Sequence, residues 1–435
     1  MQIYYAADNR NRANWGCRAT SMALGSLLAS VGTLTGTCQG TELAADTRRL
    51  TPHGGWVPRR LTRTLASMND IPIRRRLVAA LSKLGTRFDF VDTDPSASAD
   101  RFLALKDFYP WLDRIFRELQ SADCLVINGE GDFIFTSPPR RGSLFLLTLM
   151  EVALQMGKQV YLLNGIMSDC PKTGRNATTL AQVKRLFPRC AAIAVRDPDS
   201  LEYLHSIQCA SNASYVPDAL FTWSTNAPLW TRIVNQGHRV FEPFGHEEFT
   251  DLPELDLGKP YLCLSGSSSA AWDPPAATAA YTELARSLKA LNLPILLVPT
   301  CEGDAFLHTV AQRLQLPALH VRIPIRIGAA ILAKAAAFVS GRYHPSILAS
   351  LGGTPCVFLG SNSHKTASLQ RVLEYESCLE FPALPNATEC RRITEATDRI
   401  LTAGPALRNR ILTVAAQRSH ESRTLCQILK PTPHA

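Results

Sequence analysis

"FVSGRYHPSILASLGGTPCVFLGSNSHK", residues 338–365, decides the fold. Apolar residues run to Val339, Ser340 and Gly341 turn the chain, and a helical pattern follows until Gly352 and Gly353. A second apolar run, "TPCVFLG", comes directly after. Strand, short loop, helix and strand is the unit that joins two parallel strands. Pro345 suits a first helical position, because its missing N–H would be unpaired there anyway. A glycine pair suits the helix end, where a left-handed residue is needed. On this reading Arg342 and His344 lie in the strand-to-helix loop. A helix N-terminus favours anions. Arg342 adds a fork matched to carboxylate or phosphate, and His344 exchanges protons near neutral pH. The stretch therefore reads as an anion-binding site with an acid–base group inside it.

The same alternation runs through the chain. "MQIYYAA", "DCLVING", "KQVYLLNG", "CAAIAVRD" and "SYVPDALFTW" are apolar strand-like runs separated by helical stretches. "DNRNRANWGCRAT" reads as a loop before the helix "SMALGSLLASVG", and Asp197 can cap a helix from Pro198. Residues 226–257 lose the pattern and carry prolines and acids, as an inter-domain connection does. The pattern restarts with "PYLCLSGSSS", "PILLVPT", "AAFVSG" and "TPCVFLG", and two terminal helices close the chain. The expected fold class is α/β: two Rossmann-like, doubly wound domains facing across a cleft, over 1–225 and 258–435. Ligands bind outside the carboxyl ends of strands in such sheets, so the cleft between the halves is the expected site.

Composition narrows the function classes. The chain has 435 residues, 46% hydrophobic and 19% charged, enough for two large cores. No apolar run approaches the ~20 residues that span a bilayer, and "MQIYYAADNR" lacks a signal-peptide pattern. The 12 cysteines are scattered without CxxC spacing. Several, including Cys124, Cys190, Cys263 and Cys356, fall in or beside apolar strands, where a thiol acts as a small hydrophobe. A reduced, cytoplasmic protein is expected, with contact at the inner face of a membrane left open. The net charge of +9 favours anionic partners. Its concentrations at Arg59, Arg60 and Arg63 and at Arg74 to Arg76 lack the interleaved aromatics of a nucleic-acid module, so no nucleic-acid partner is expected.

Other strand ends carry chemistry too. "AVRDPDSLEYL" puts Arg196 before a helix, "NSHK" places His364 and Lys365, "INGEGDF" offers Asn128, Glu130 and Asp132, and "NWGCRAT" offers Asn14 and Gly16. No metal-ligand constellation is visible.

The order of "NWGCRATSMALGSLL", "INGEGDFIF", "AVRDPDSLEYL", "VPDALFTW", "LCLSGSS" and "SGRYHPSILASLGGTPCVFLGSNSHKTASL" resembles the polysaccharide pyruvyltransferase family. Ser-Gly-Arg-x-His, a helix and a Gly-x-Pro strand form its most specific element. The resemblance implies a fold like that of two-domain (GT-B-like) glycosyltransferases. It also implies phosphoenolpyruvate as donor, a sugar, oligosaccharide or lipid-linked glycan as acceptor, and a cyclic ketal as product. It assigns donor binding to Arg196 and Arg342, with Tyr343 and Lys365 beside them, and acid–base catalysis to His344. Glu130 or Asp132 is the expected base for the acceptor hydroxyl, and Asn14, Gly16 and Asn128 are expected on the acceptor side. No cofactor is expected, and a loosely held divalent ion stays open. Glu130 stands where many relatives have a small residue. Residues 36–62 and 224–257 match nothing in the family, and His53, His238 and His246 within them are read as loop residues. Two alternatives remain at this point: a glycosyltransferase using a nucleotide sugar, and a non-catalytic binder of anionic glycans.

Overall fold

In a computed structural model, residues 1–39, 91–106, 110–226 and 255–429 are described. Two parallel sheets organise them. The first holds β1 (Gln2–Asp8), β2 (Thr33–Gln39), β3 (Cys124–Glu130), β5 (Gln159–Gly165), β7 (Ala192–Val195) and β8 (Ala213–Tyr215), in the order β2-β1-β3-β5-β7-β8. The second holds β9 (Leu262–Ser267), β10 (Ile295–Leu297), β11 (Ala337–Gly341), β12 (Cys356–Leu359) and β13 (Glu380–Phe381), in the order β10-β9-β11-β12-β13. Two short strands, β4 (Ile134–Phe135) and β6 (Ser168–Asp169), pair beside the first sheet. Strand order reverses between β1 and β3 in one sheet and between β9 and β11 in the other. These are the switch points where a crevice opens, and the Arg-Tyr-His stretch leaves one of them.

The helices, in chain order, are α1 (Trp15–Val31), α2 (Pro95–Leu105), α3 (Pro110–Ser121), α4 (Arg141–Gln155), α5 (Ala177–Leu186), α6 (Pro198–Ser206), α7 (Pro274–Leu288), α8 (Phe306–Leu314), α9 (Ile325–Lys334), α10 (Tyr343–Ser350), α11 (Lys365–Val372), α12 (Ala387–Ser422) and α13 (Leu425–Ile428). Asp197 caps α6, accepting from the Ser200 N–H at 2.9 Å. Gly353 takes the left-handed conformation (φ 76°) that stops α10. Gly404, also left-handed, and Pro405 divide α12 into the two terminal helices expected from the sequence.

Three boundaries differ from the sequence reading. α1 starts at Trp15, inside the segment read as loop, because the Asn14 side chain accepts from the Cys17 N–H and caps it. α10 starts at Tyr343, so Arg342 occupies the cap position and His344 lies in the first helical turn rather than the loop. Residues 36–39, read as the start of an insertion, complete β2, which pairs in parallel with β1. The rest of that insertion, residues 227–254 of the connection and the arginine runs from Arg59 to Arg76 lie outside the described residues. Among the described residues no helix is long and apolar enough to cross a membrane.

The halves share a core. One buried cluster joins Tyr5, Trp15 and Val126 of the first to Cys263, Phe338 and Ile347 of the second. Trp15 donates through Nε1 to the Val321 carbonyl (2.8 Å) and through its backbone N–H to the Thr300 carbonyl (2.9 Å). The terminal helices return to the first sheet: Ser422 Oγ donates to the Asp218 carbonyl at 3.0 Å, and Leu425 joins the shared core with Leu28.

Candidate active site

The wall from the second sheet is built around Arg342. Its Nη2 and Nε both reach Asp304 Oδ1 (2.6 and 3.2 Å), while Asp304 Oδ2 accepts from the Thr300 N–H and hydroxyl (both 3.0 Å). Burial opposes the guanidinium charge, but the Asp304 carboxylate raises its pKa further. The remaining fork nitrogen, Nη1, faces Ser268 Oγ at 3.5 Å. The same hydroxyl takes a hydrogen bond from Lys365 Nζ at 2.8 Å, and Asn362 Oδ1 takes another at 2.6 Å. Lys365 has no ion pair among the described residues. Burial, then the fields of Arg342, Arg196 and Arg140, push its pKa down to about 7.

Arg196 and His344 meet at the join of the two halves. Arg196, only 2% exposed, lies with Cζ 4.2 Å from the Tyr343 ring centre, a cation–π contact. Its Nη1 is 3.4 Å from Asp218 Oδ2 and 3.0 Å from His344 Nε2. His344 Nε2 is itself 3.1 Å from Asp218 Oδ2. Burial opposes the Asp218 charge, yet His344, Arg196 and the Leu220 N–H hold its pKa down at about 2. Burial lowers the His344 pKa and Arg196 adds to this, with Asp218 opposing. Gly16, in the first turn of α1, lies against the imidazole: a Cβ there would stand 2.5 Å from His344 Nδ1. Only glycine permits this approach.

The wall from the first sheet is made of amides. Three adjacent strands carry a left-handed residue at or near their carboxyl ends: Ala7 (φ 60°), Glu130 (φ 32°) and Asn164 (φ 59°). Such conformations cost a non-glycine residue about 1–3 kcal/mol and gather at functional sites. Glu130 Oε1 accepts from Asn9 Nδ2 (2.8 Å), Ser21 Oγ (3.0 Å) and Asn128 Nδ2 (3.0 Å). Asn128 Oδ1 accepts from Asn164 Nδ2 (3.3 Å), Asn164 Nδ2 also donates to Thr20 Oγ1 (2.8 Å), and Thr20 donates to Asp218 Oδ1 (2.7 Å). A buried polar chain therefore runs from Glu130 to the Asp218–His344 pair. Burial raises the Glu130 pKa to about 7 against the pull of Cys17 and Asn9. Burial also raises Asp132, which Arg140 and Arg12 oppose.

His344, Arg196, Tyr343, Arg342 and Lys365 thus gather near the join of the halves with Gly16; Glu130 is tied to them through the buried polar chain, and Asp132 stands near Arg140 and Arg12. Asn14 is occupied as the α1 cap, and Asn128 is wholly buried with both amide ends on protein groups. Sequence reasoning did not assign Asp218 or Asp304 to the site. Both stand in strand-end loops, "VPDALFTW" and "CEGDAF", which was the available signal. It also left His364 without a role; its Nε2 meets Asp197 Oδ1 at 3.0 Å across the halves.

One group has metal-like spacing: ligand atoms of Asp197, Asp199 and His364 lie within 4.8 Å of one another. Asp197 already accepts from Ser200, Ser368 and His364, and Asp199 pairs with Arg371. These carboxylates are taken by protein donors, and the group is an ion-pair junction between the halves.

Comparison with solved structures shows the architecture. A UDP-GlcNAc 2-epimerase from Neisseria meningitidis, solved with UDP-GlcNAc, superposes with a TM-score of 0.54 at 10% identity, covering 99% of this chain and 98% of that one. An Escherichia coli trehalose-6-phosphate protein bound to UDP-2-fluoro glucose gives 0.52 at 12% identity, covering 99% of both chains. The N-terminal domain of Candida albicans trehalose-6-phosphate phosphatase gives 0.51 at 10%, covering 98% and 96%. At such identities the likeness is one of fold, that of two Rossmann-like domains in the GT-B arrangement. No curated protein matches the sequence. The family model for polysaccharide pyruvyl transferase matches residues 70–363, more than half of the chain and the part that carries Arg196, Asp218, Arg342 and His344. The chain belongs to the polysaccharide pyruvyl transferase family.

Proposed function

We propose that the protein transfers the pyruvyl group of phosphoenolpyruvate to two hydroxyls of a sugar in a polysaccharide or its precursor, forming a cyclic ketal and releasing phosphate. The observation that carries this reading is Lys365. A half-buried ammonium with two neutral oxygen partners, set beside Arg342 and Arg196, is a costly arrangement without an anion. Phosphoenolpyruvate brings a carboxylate and a phosphate on one small frame, which suits three cations and the α10 N-terminus together.

The chemistry balances within the site. A proton adds to the methylene carbon, which becomes a methyl group, and positive character develops at the central carbon. One sugar hydroxyl adds there. The bond to the phosphate oxygen breaks, and the second hydroxyl adds in its place. Of the two hydroxyl protons released, one balances the proton on the methyl group and the other leaves with phosphate. His344 is the proton-transfer group at the donor. Arg342, Arg196 and Lys365 stabilise the departing phosphate. Glu130, with its pKa near neutrality and Asn128 supporting it, accepts a proton from the acceptor hydroxyl, and Asp132 stands beside it.

The test is phosphate release from phosphoenolpyruvate across a panel of acceptor sugars, for the wild type and His344→Ala. Release that needs an acceptor and collapses in the variant is expected. Binding of a nucleotide sugar, with none of phosphoenolpyruvate, would overturn the reading.

A further inference from the structure

We infer that Asp218 is a positioning residue that fixes the proton of neutral His344 on Nε2 and so makes Nδ1 the atom that exchanges protons with substrate. The inference rests on His344 being the proton-transfer group.

Two arrangements are open to Nε2. It can donate to Asp218 Oδ2 at 3.1 Å, or accept from Arg196 Nη1 at 3.0 Å. The second would aim a lone pair at a carboxylate oxygen. In the first, Arg196 Nη1 turns to the same Oδ2, 3.4 Å away, so Nη1 and Nε2 both donate to the carboxylate and no lone pair faces it. Nδ1 then carries the lone pair. It makes no hydrogen bond among the described residues, and the neighbour packed beside it, Gly16, has no side chain to offer one. The charged neighbours of the ring are Asp218 and Arg196 from the first half and Lys365 from α11, with Tyr343 on its own helix. Among these, Asp218 alone stabilises an imidazolium.

The other face of Asp218 makes the arrangement testable. Oδ1 accepts from Thr20 Oγ1 (2.7 Å) and from the Leu220 N–H (2.9 Å). In Asp218→Asn those two donors hold the amide oxygen at the Oδ1 position. The amide NH₂ must then face His344 Nε2, which can only accept. The proton moves to Nδ1 and the tautomer inverts. An inverted tautomer in a His–Asp pair costs about 10⁴-fold in turnover in the best-studied hydrolases.

The experiment is nitrogen NMR of ¹⁵N-histidine-labelled full-length protein, with the His344 signals identified by their loss in His344→Gln. The expected wild-type pattern is a protonated Nε2 and a pyridine-type Nδ1, reversed in Asp218→Asn. Phosphate release should fall about 10³–10⁴-fold in that variant, and the pH limb belonging to His344 should move to lower pH. Thr20→Val keeps the carboxylate and should keep the tautomer, with a loss under about tenfold. A wild-type proton on Nδ1 overturns the proposal without any variant having to fold. So does an Asp218→Asn protein with unchanged tautomer and turnover. If no acceptor supports phosphate release, the pyruvyl-transfer reading fails, while the NMR pattern still decides this one.

Discussion

The two walls of the crevice handle charge in opposite ways. On the second-sheet wall, Arg342 is tied to Asp304 while Lys365 keeps only neutral partners among the described residues. On the first-sheet wall, one carboxylate, Glu130, is ringed by amides and a hydroxyl that leave its pKa near neutrality. A wall with surplus cation favours an anion. A buried carboxylate near its titration point can take up a proton near neutral pH, which is what the proposed acceptor chemistry asks of it. The difference shows that how completely a strand-end charge is paired depends on the neighbours the two sheets supply, and the proposed division of donor from acceptor rests on that contrast.

The sharpest way to break the comparison is Glu130→Gln. Removing the proposed base should lower turnover about 10²–10⁴-fold and leave phosphoenolpyruvate affinity unchanged. Equal losses in both would show that the walls do not divide the labour. Next is Lys365→Met. Loss of the proposed charge-assisted hydrogen bond to the donor should weaken phosphoenolpyruvate binding about 10–10²-fold by calorimetry, while the ligand-free protein melts higher because a poorly compensated cation is gone. Gly16→Ala should displace His344, since the new Cβ would fall 2.5 Å from Nδ1. Turnover should drop about 10²-fold, the scale of a 1 Å misplacement.

Stability against pH separates the walls without any substrate. Glu130 has its pKa raised from 4.5 to about 7 by burial. The folded state therefore binds the extra proton, and this group's contribution, full at low pH, is lost as pH rises from about 4.5 to about 7. Lys365 has its pKa lowered from 10.5 to about 7, by burial and then by Arg342. Here the unfolded state binds the extra proton, so stability rises between about pH 7 and 10.5. Denaturant titrations should show Glu130→Gln flattening the first window and Lys365→Met the second. The smallest effect is expected at the Asp199–Arg371 pair, where Arg371 is 46% exposed. Asp199→Asn should cost about 0.2–1 kcal/mol and leave turnover intact; a large loss would move the inter-domain junction into the catalytic machinery.

What could be read from sequence follows from range. The "SGRYHPS" stretch carries strand, turn and helix signals within a few residues, and Arg196, Arg342, His344 and Lys365 stand beside such signals. The α10 start shifted because Pro345 suits several first-turn positions and only the cap geometry chooses among them. β2 escaped because "TLTGTCQ" has weak apolar alternation, and its pairing with β1 supplies what its own residues lack. Ala7 and Glu130 gave no hint of left-handed backbone, which neither residue favours; packing at the strand ends imposes it.

Sequence by itself determined the two runs of parallel α/β units, the cations at strand ends and the family. Each depends on residues near one another in the chain, where propensity and spacing act directly. Tertiary structure alone decided the partners of those cations: Asp304 for Arg342, 38 residues away, and Asp218 for His344, 126 residues away. It also decided that Lys365 meets no carboxylate among the described residues. Charge pairing in a crevice depends on which strand ends the two sheets bring face to face, and that is fixed by switch points and a shared core rather than by any local pattern.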